Sequence, residues 1–361
     1  MHGGDVYTNG IFMEKELLDY SSNINPLGVP KSFENNINKA LDALIRYPDL
    51  QYRELKKSLE DYTGVNSEYF VLGNGAAEII DITISRLESI LIMAPCFGEY
   101  EESAIKHNCK VEYSYLVEES IDNNIFSFNY AYEDIIKKLE KVQGLIIGNP
   151  NNPNGSIIDK DRFISILDYC ENNKKTVIID EAFIEFVADM GKSFINYIEK
   201  YKCLVIIRAI TKFFAMPGIR FGYGICSDVN YIATLHKYQL PWNINSFAEL
   251  AVNEVLKDEE YIEKSLRWIL EESSFFYEKL RNVHLFEKVY KSSGNFILCK
   301  LKDITDEELY KLALEKDLLI RTCGSYRGLN SKYIRLAIKD RKNNLKVIDI
   351  FKNIVKEGDN S

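Results

Sequence analysis

The chain has 361 residues, 46% of them hydrophobic, and a formal net charge of −9. This composition fits a folded enzyme with a large core and room for two domains. The acidic balance argues against nucleic acid or an anionic membrane as a partner, and no apolar run is long enough to span a bilayer. The seven cysteines are odd in number and form no CxxC pair, so we expect reduced thiols in a cytoplasmic protein. The N-terminus does not show the pattern of a targeting segment.

Strand-like and helix-like segments alternate from about Val71 to Cys226, which predicts a mainly parallel sheet with crossover helices. Near its start, a glycine-rich turn containing Gly75, Ala76 and Ala77 opens an amphipathic stretch. Free backbone N–H groups and a helix dipole at that point would suit a phosphate. A plain loop is the alternative interpretation of such a turn by itself.

Three short apolar runs further along the chain each end in a polar residue that could carry chemistry. The run 144–148 leads to Asn152, the run 177–179 to Asp180, and the run 204–207 to Lys212. In an open parallel sheet, ligands bind at the carboxyl ends of the strands. We therefore expect these three side chains to converge on one site.

Lys212 is the most informative of the three. An ammonium at the end of a buried strand is costly, and a lowered pKa or condensation with an aldehyde cofactor relieves that cost. A lysine that extends to solvent is the alternative. Arg220 follows a Pro-Gly turn and could bind a phosphate with its planar guanidinium. A pyridoxal phosphate ring needs a carboxylate at its pyridine nitrogen and a donor to its phenolic oxygen, roles that fit Asp180 and Asn152.

Helical periodicity continues from Ser246 to Arg281 and is followed by strand-like segments at 294–299 and 333–338, with helices at 306–316 and near the C-terminus. Arg335 lies inside the second of these strands, and Arg321 ends the apolar run before it. We expect an N-terminal arm at 1–35 that joins the small domain, a large cofactor-binding domain at 36–245, and an interdomain helix with a smaller α/β domain at 246–361.

In this order and over essentially the whole chain, the motifs resemble the fold-type I pyridoxal-phosphate enzymes of the aminotransferase class I and II group. The resemblance implies an α/β fold with a mainly parallel sheet in the large domain, and pyridoxal 5'-phosphate as the cofactor. It places Lys212 at the cofactor aldehyde and Phe97 against the ring. Where relatives commonly have a serine or threonine this chain has Ala209, so Thr211 is left as the hydroxyl for the cofactor phosphate.

The resemblance also implies partners. It predicts a homodimer in which Tyr47, in the segment Arg46-Tyr47-Pro48-Asp49, reaches the cofactor phosphate of the neighbouring subunit. Arg335 would bind the α-carboxylate of the substrate, and Arg321 a second anion. The expected partner is a small phosphorylated amino acid, with no nucleic acid, membrane or metal.

Within this group the chain resembles the threonine-phosphate decarboxylases of cobalamin biosynthesis. The features are His2-Gly3-Gly4, the segments 21–28 and 241–245, and Phe183 where aminotransferases usually have tyrosine. His2 and Asn23 become candidate contacts to the substrate. The implied reaction is decarboxylation of L-threonine O-3-phosphate to (R)-1-amino-2-propanol O-2-phosphate.

Three other interpretations were considered. Histidinol-phosphate aminotransferase is the alternative function, because the same pocket residues would serve both chemistries, and serine phosphate remains open as a substrate. A cofactor-holding regulatory domain is disfavoured because no helix-turn-helix extension is evident. A NAD-binding enzyme is disfavoured because no GxGxxG follows an early strand.

Overall fold

The structure is a computed structural model that describes residues 3–122 and 124–359. Its strands are β1 (Leu18–Asp19), β2 (Phe70–Gly73), β3 (Ser89–Ala94), β4 (Lys110–Tyr115), β5 (Val117–Asp122), β6 (Ile125–Asn129), β7 (Gly144–Gly148), β8 (Thr176–Asp180), β9 (Leu204–Ala209), β10 (Gly222–Ile225), β11 (Phe286–Val289), β12 (Phe296–Leu301), β13 (Leu318–Leu319), β14 (Arg321–Thr322) and β15 (Tyr333–Ala337).

The α-helices are α1 (Lys31–Glu34), α2 (Ile37–Ala43), α3 (Arg53–Thr63), α4 (Ala76–Ile84), α5 (Glu99–Lys106), α6 (Tyr132–Leu139), α7 (Lys160–Asn172), α8 (Val229–His236), α9 (Ser246–Val255), α10 (Glu259–Arg281), α11 (Asp306–Leu314) and α12 (Arg341–Asp359). Within the described part of the chain, no helix is long and apolar enough to cross a membrane.

Seven strands form the large sheet, in the order β2-β10-β9-β8-β7-β3-β4. Only β10 pairs antiparallel to its neighbours, so the predicted mainly parallel sheet is confirmed. Every residue of β7 and β9 is buried, as expected for parallel strands covered on both faces. Because β7, β8 and β9 are adjacent and parallel, the three polar residues that follow them emerge at one edge.

Four antiparallel strands form the small sheet, in the order β11-β12-β15-β14. The N-terminal arm reaches this part of the molecule, since Leu18 in β1 pairs in parallel with Leu318 in β13. The predicted helical stretch after Ser246 is present but is divided into α9 and α10, and Asp258 caps the second helix by accepting from the Tyr261 N–H. The domain boundaries at residues 35 and 245 stay predictions.

One local prediction was wrong. We expected a single strand that ends in Arg321, but the segment splits at Ile320 into β13 and β14, and Arg321 begins the second. The physical reason is that the two halves pair with different partners. β13 pairs with the N-terminal arm, whereas β14 pairs with β15.

A buried ion pair lies between β8 and β9. The Arg208 guanidinium donates from Nε and Nη2 to Glu181 Oε2 at 3.1 and 2.9 Å, and both side chains are almost completely buried. Glu181 also accepts from Ser193 Oγ at 2.7 Å and from the Phe194 N–H at 2.8 Å. Because the Glu181 carboxylate accepts several hydrogen bonds, these bonds offset the cost of removing the ion pair from water.

We expect Arg208→Met to lower the free energy of unfolding by about 3–5 kcal/mol, because it leaves the Glu181 charge buried without its partner. Denaturant titration followed by circular dichroism measures this. Arg162→Met is the control. Arg162 forms a solvent-exposed pair with Glu133, so its loss should lower the free energy of unfolding far less. Equal shifts of the two unfolding midpoints would contradict the importance of the buried pair.

Candidate active site

A cavity of about 420 Å³ opens where β7, β8 and β9 end. It is lined by most of the residues predicted from the sequence: Asn23, Ala76, Ala77, Phe97, Asn152, Asp180, Thr211, Lys212, Arg220, Arg321 and Arg335. Gly75 immediately precedes the helix at its edge. Tyr47 lies elsewhere, exposed and packed against Trp242 with ring centroids 4.7 Å apart, and its predicted role stays a prediction. His2 lies outside the described residues.

Lys212 follows β9 and extends into this cavity. The pKa of its amine is lowered to about 8, chiefly by burial and to a smaller extent by the nearby guanidinium groups of Arg335 and Arg220. Asp19 acts in the opposite direction, but its effect is smaller. Above pH 8 the side chain is therefore mainly a free amine, the form that can attack an aldehyde.

Asp180, the last residue of β8, faces the same space. Its Oδ2 accepts from Tyr100 Oη at 2.6 Å and its Oδ1 from the Ala182 N–H at 2.9 Å. Burial raises the pKa of the carboxyl, while these two hydrogen bonds lower it. Sequence reasoning missed Tyr100, because the helical segment around it gives no signal of a contact 80 residues away.

A phosphate-sized cradle lies at the start of α4. Gly75 precedes the helix with φ +90°, and a Cβ there would lie 2.4 Å from Arg220 Nη2. A Cβ on Gly222 would lie 2.3 Å from the Ala76 nitrogen. The two glycines therefore leave room for a guanidinium beside the free N–H groups of a nine-residue helix, an arrangement that suits a phosphate.

Arg335 occupies an interior strand of the small sheet. Its Nη1 donates to Asn152 Oδ1 and its Nη2 to the Ser21 carbonyl, both at 2.6 Å. Within residues 3–122 and 124–359, Arg335 Nε and the buried Asn23 Oδ1 have no hydrogen-bond partner. Both atoms belong to residues that line the cavity, and buried polar atoms are normally paired. The Asn152 amide nitrogen is left to donate toward the cavity.

Arg321 lies beside Arg335. The two residues are Cα partners on β14 and β15, and both side chains are buried. Arg321 packs over the ring of Tyr326, with 5.1 Å between Cζ and the ring centroid. The cavity is therefore lined by two arginines from adjacent strands as well as by Lys212.

The aromatic and small residues complete the walls. The Phe97 ring meets Tyr100 edge-on at 5.8 Å, and Phe183 packs edge-on against Phe296 at 5.1 Å. Thr211 is buried and lines the cavity next to Lys212. Ser21, Tyr326 and Arg327 also line it, and sequence reasoning had given them no role.

The family model for aminotransferase class I and II matches residues 15–351. A protein of Caldanaerobacter subterraneus subsp. tengcongensis, provisionally named a threonine-phosphate decarboxylase, is 38% identical over 99% of this chain and 94% of its own. The threonine-phosphate decarboxylase of Salmonella typhimurium is 31% identical over 98% and 96%. A crystal structure titled histidinol-phosphate aminotransferase from Clostridium acetobutylicum is 49% identical, with a TM-score of 0.89 over 94% and 100%.

The chain belongs to the aminotransferase class I and II family, and its fold is that of the fold-type I pyridoxal-phosphate enzymes. Pyridoxal 5'-phosphate is the cofactor of this family, and the residues present fit it. Gly75, Ala76 and Arg220 would hold its phosphate, Asp180 its pyridine nitrogen, and Lys212 its aldehyde. When bound, the cofactor supplies a carbonyl that accepts an amine and a ring that accepts electrons.

We expect Lys212→Ala to abolish covalent cofactor attachment and the near-visible absorbance that accompanies it, because no other lysine of the described residues lines the cavity. Borohydride reduction of the wild-type protein followed by peptide mass spectrometry should find the cofactor mass on Lys212. Lys339→Ala serves as the control for a lysine close to the same charges. The cofactor mass on any other lysine would refute the assignment.

Proposed function

We propose that the protein decarboxylates L-threonine O-3-phosphate to (R)-1-amino-2-propanol O-2-phosphate in cobalamin biosynthesis, as a cytoplasmic homodimer. The observation that carries this proposal is the pair of buried arginines on adjacent strands beside Lys212. A substrate with one amine, one carboxylate and one phosphate matches that set. The names of the two curated relatives support the same reaction.

Each charged group then has one role. Arg335 would bind the carboxylate and Arg321 the phosphate, while Lys212 would hold the cofactor, whose carbonyl accepts the substrate amine. Holding both anions fixes the torsion about the substrate Cα, and orientation decides which bond breaks. The Lys212 amine would take up the proton that the substrate ammonium loses and would donate it to the carbon that has lost carbon dioxide.

Histidinol-phosphate aminotransferase is the second candidate, and the 49% identical structure of the Clostridium acetobutylicum enzyme of that name favours it. The same residues would serve, with Lys212 removing the proton from Cα instead. Histidinol phosphate has no carboxylate, so Arg335 would lack that partner in the first half-reaction. In the second half-reaction, the amino-group acceptor would have to supply the carboxylate that Arg335 binds.

We expect the purified holoenzyme to release carbon dioxide from L-threonine O-phosphate without any 2-oxo acid, because both anion sites are then filled. Histidinol phosphate with 2-oxoglutarate should yield little glutamate. Mass spectrometry of the products measures both reactions, with Lys212→Ala as the blank. Catalytic glutamate formation together with no carbon dioxide from threonine phosphate would make the aminotransferase the correct function.

We expect Tyr47 to act in the neighbouring subunit, because within its own subunit it lies exposed and away from the cavity. Tyr47→Phe should weaken cofactor binding. Mixing Tyr47→Phe with Lys212→Ala subunits should recover activity, since each heterodimer has one site with both residues intact. A fully active monomer in sedimentation at assay concentration would contradict this arrangement.

A further inference from the structure

A loop of the small sheet extends to the cavity mouth. We call residues 323–332, between β14 and β15, the rim loop. Its base is held where the Gly324 N–H donates to Asp306 Oδ2 at 2.8 Å. Further along, Tyr326 and Arg327 line the cavity. The rim loop therefore begins on the small sheet and forms part of the wall around the substrate.

The tip of the rim loop contacts elements of the large sheet. Arg327 Nη2 donates to Glu101 Oε1 at 2.5 Å and Nε to Oε2 at 3.2 Å, a two-point ion pair with α5. The same guanidinium lies 4.2 Å from the ring centroid of Tyr113 on β4. Gly328, with φ +85°, approaches so closely that a Cβ would lie 3.1 Å from Tyr115. Three independent contacts thus join the tip to the opposite wall.

The residue before Arg327 faces a substrate-binding group. Tyr326 packs against Arg321, the guanidinium assigned to the second anion of the substrate. The chain of contacts runs from Glu101 through Arg327 to its neighbour Tyr326 and then to Arg321. Loosening the contact between Glu101 and Arg327 therefore removes a restraint on the position of Arg321.

We propose that Glu101 and Arg327 are positioning residues whose ion pair holds the rim loop across the cavity mouth and so keeps Arg321 in place for the phosphate of the substrate. This inference rests on the proposed function only in assigning the phosphate to Arg321. Threonine phosphate and histidinol phosphate both carry a phosphate monoester. The pair acts on that shared group and not on the reacting carbon.

The pair is ionised under ordinary conditions. The hydrogen bond from Arg327 holds the pKa of Glu101 below its usual value. The carboxylate therefore stays charged at neutral pH. It loses its charge only as the pH falls through that lowered pKa. Tyr113, beside both groups, has its pKa raised by burial and by Glu101, so it stays neutral.

The chain offers a matched control pair. Arg162 Nη2 donates to Glu133 Oε1 at 2.5 Å, and its guanidinium lies 4.4 Å from the ring of Tyr132. The Arg162 and Arg327 side chains are each 46% exposed. Arg162 and Glu133, however, are not among the residues that line the cavity. The two pairs thus share chemistry and the exposure of the arginine, but Glu133 is 83% exposed whereas Glu101 is 28% exposed, and the pairs differ in location.

The experiment is a double-mutant cycle with Glu101→Gln and Arg327→Gln on the holoenzyme, measuring kcat and KM for the phosphorylated substrate that it turns over. Each single variant should raise KM about five- to tenfold with kcat within twofold, as expected for an ion pair reinforced by an aromatic ring. The double variant should be no worse than either single one. Arg327→Lys should fall between the wild type and Arg327→Gln.

Two further arms test the assignment. Affinity for L-threonine, which lacks phosphate, should stay within twofold in every variant, and the Glu133→Gln and Arg162→Gln cycle should leave KM unchanged. Without substrate, backbone amides of the rim loop should exchange with deuterated water at least fivefold faster in Arg327→Gln than in wild type. An unchanged KM, additive effects, or an equal loss of L-threonine affinity would overturn the proposal.

Failure of the proposed function gives a different result. If threonine phosphate releases no carbon dioxide from the wild-type enzyme, the cycle is measured with histidinol phosphate, and the hydrogen-exchange arm needs no substrate. Altered KM and exchange would then support the positioning role while the decarboxylase assignment fails. Unaltered KM and exchange would refute the positioning role whichever substrate is used.

Discussion

The site depends on the fixed spacing of three parallel strand ends, which the ladders of β7, β8 and β9 set and the buried Glu181 side chain reinforces. Glu181 directly follows Asp180 and is held by Arg208 from β9. Its other carboxylate oxygen lies 3.5 Å from the amide nitrogen of Asn149, the residue that opens the loop after β7. One carboxylate thus links the strands that carry Asn152, Asp180 and Lys212. Because interiors are closely packed, a change here would shift all three.

The positive charges in the cavity determine which ligands it can bind. Lys212 is buried and shares the cavity with Arg220 and Arg335, and burial together with these positive charges lowers the pKa of its amine to about 8. This arrangement favours a free amine for nucleophilic attack, and it favours anions beside that amine. A cofactor phosphate, a substrate carboxylate and a substrate phosphate are the anions that the pocket can accept. The charges of the pocket are therefore complementary to the phosphorylated amine substrate proposed above.

Sequence reasoning predicted the centre of this site because strand ends are local features. An apolar run followed by Asn152, Asp180 or Lys212 identifies both the strand and the edge where the residue emerges. Contacts between distant segments give no such signal. Tyr100 meets Asp180 across 80 positions, and Arg327 meets Glu101 across 226. The split at Ile320 was also missed, since it depends on which strands pair and not on the apolar pattern.

The geometry of the two arginines bears on the choice between the candidate reactions. Arg321 and Arg335 are paired across adjacent strands, so the sheet itself fixes the distance between their Cα atoms. A substrate that binds both through a carboxylate and a phosphate is held at two points, and rotation about its Cα is restricted. Histidinol phosphate offers an anion to only one of them, and its Cα substituents are then oriented by the walls alone. A substrate that fills both sites is therefore held in one orientation about its Cα, and that orientation decides which bond breaks.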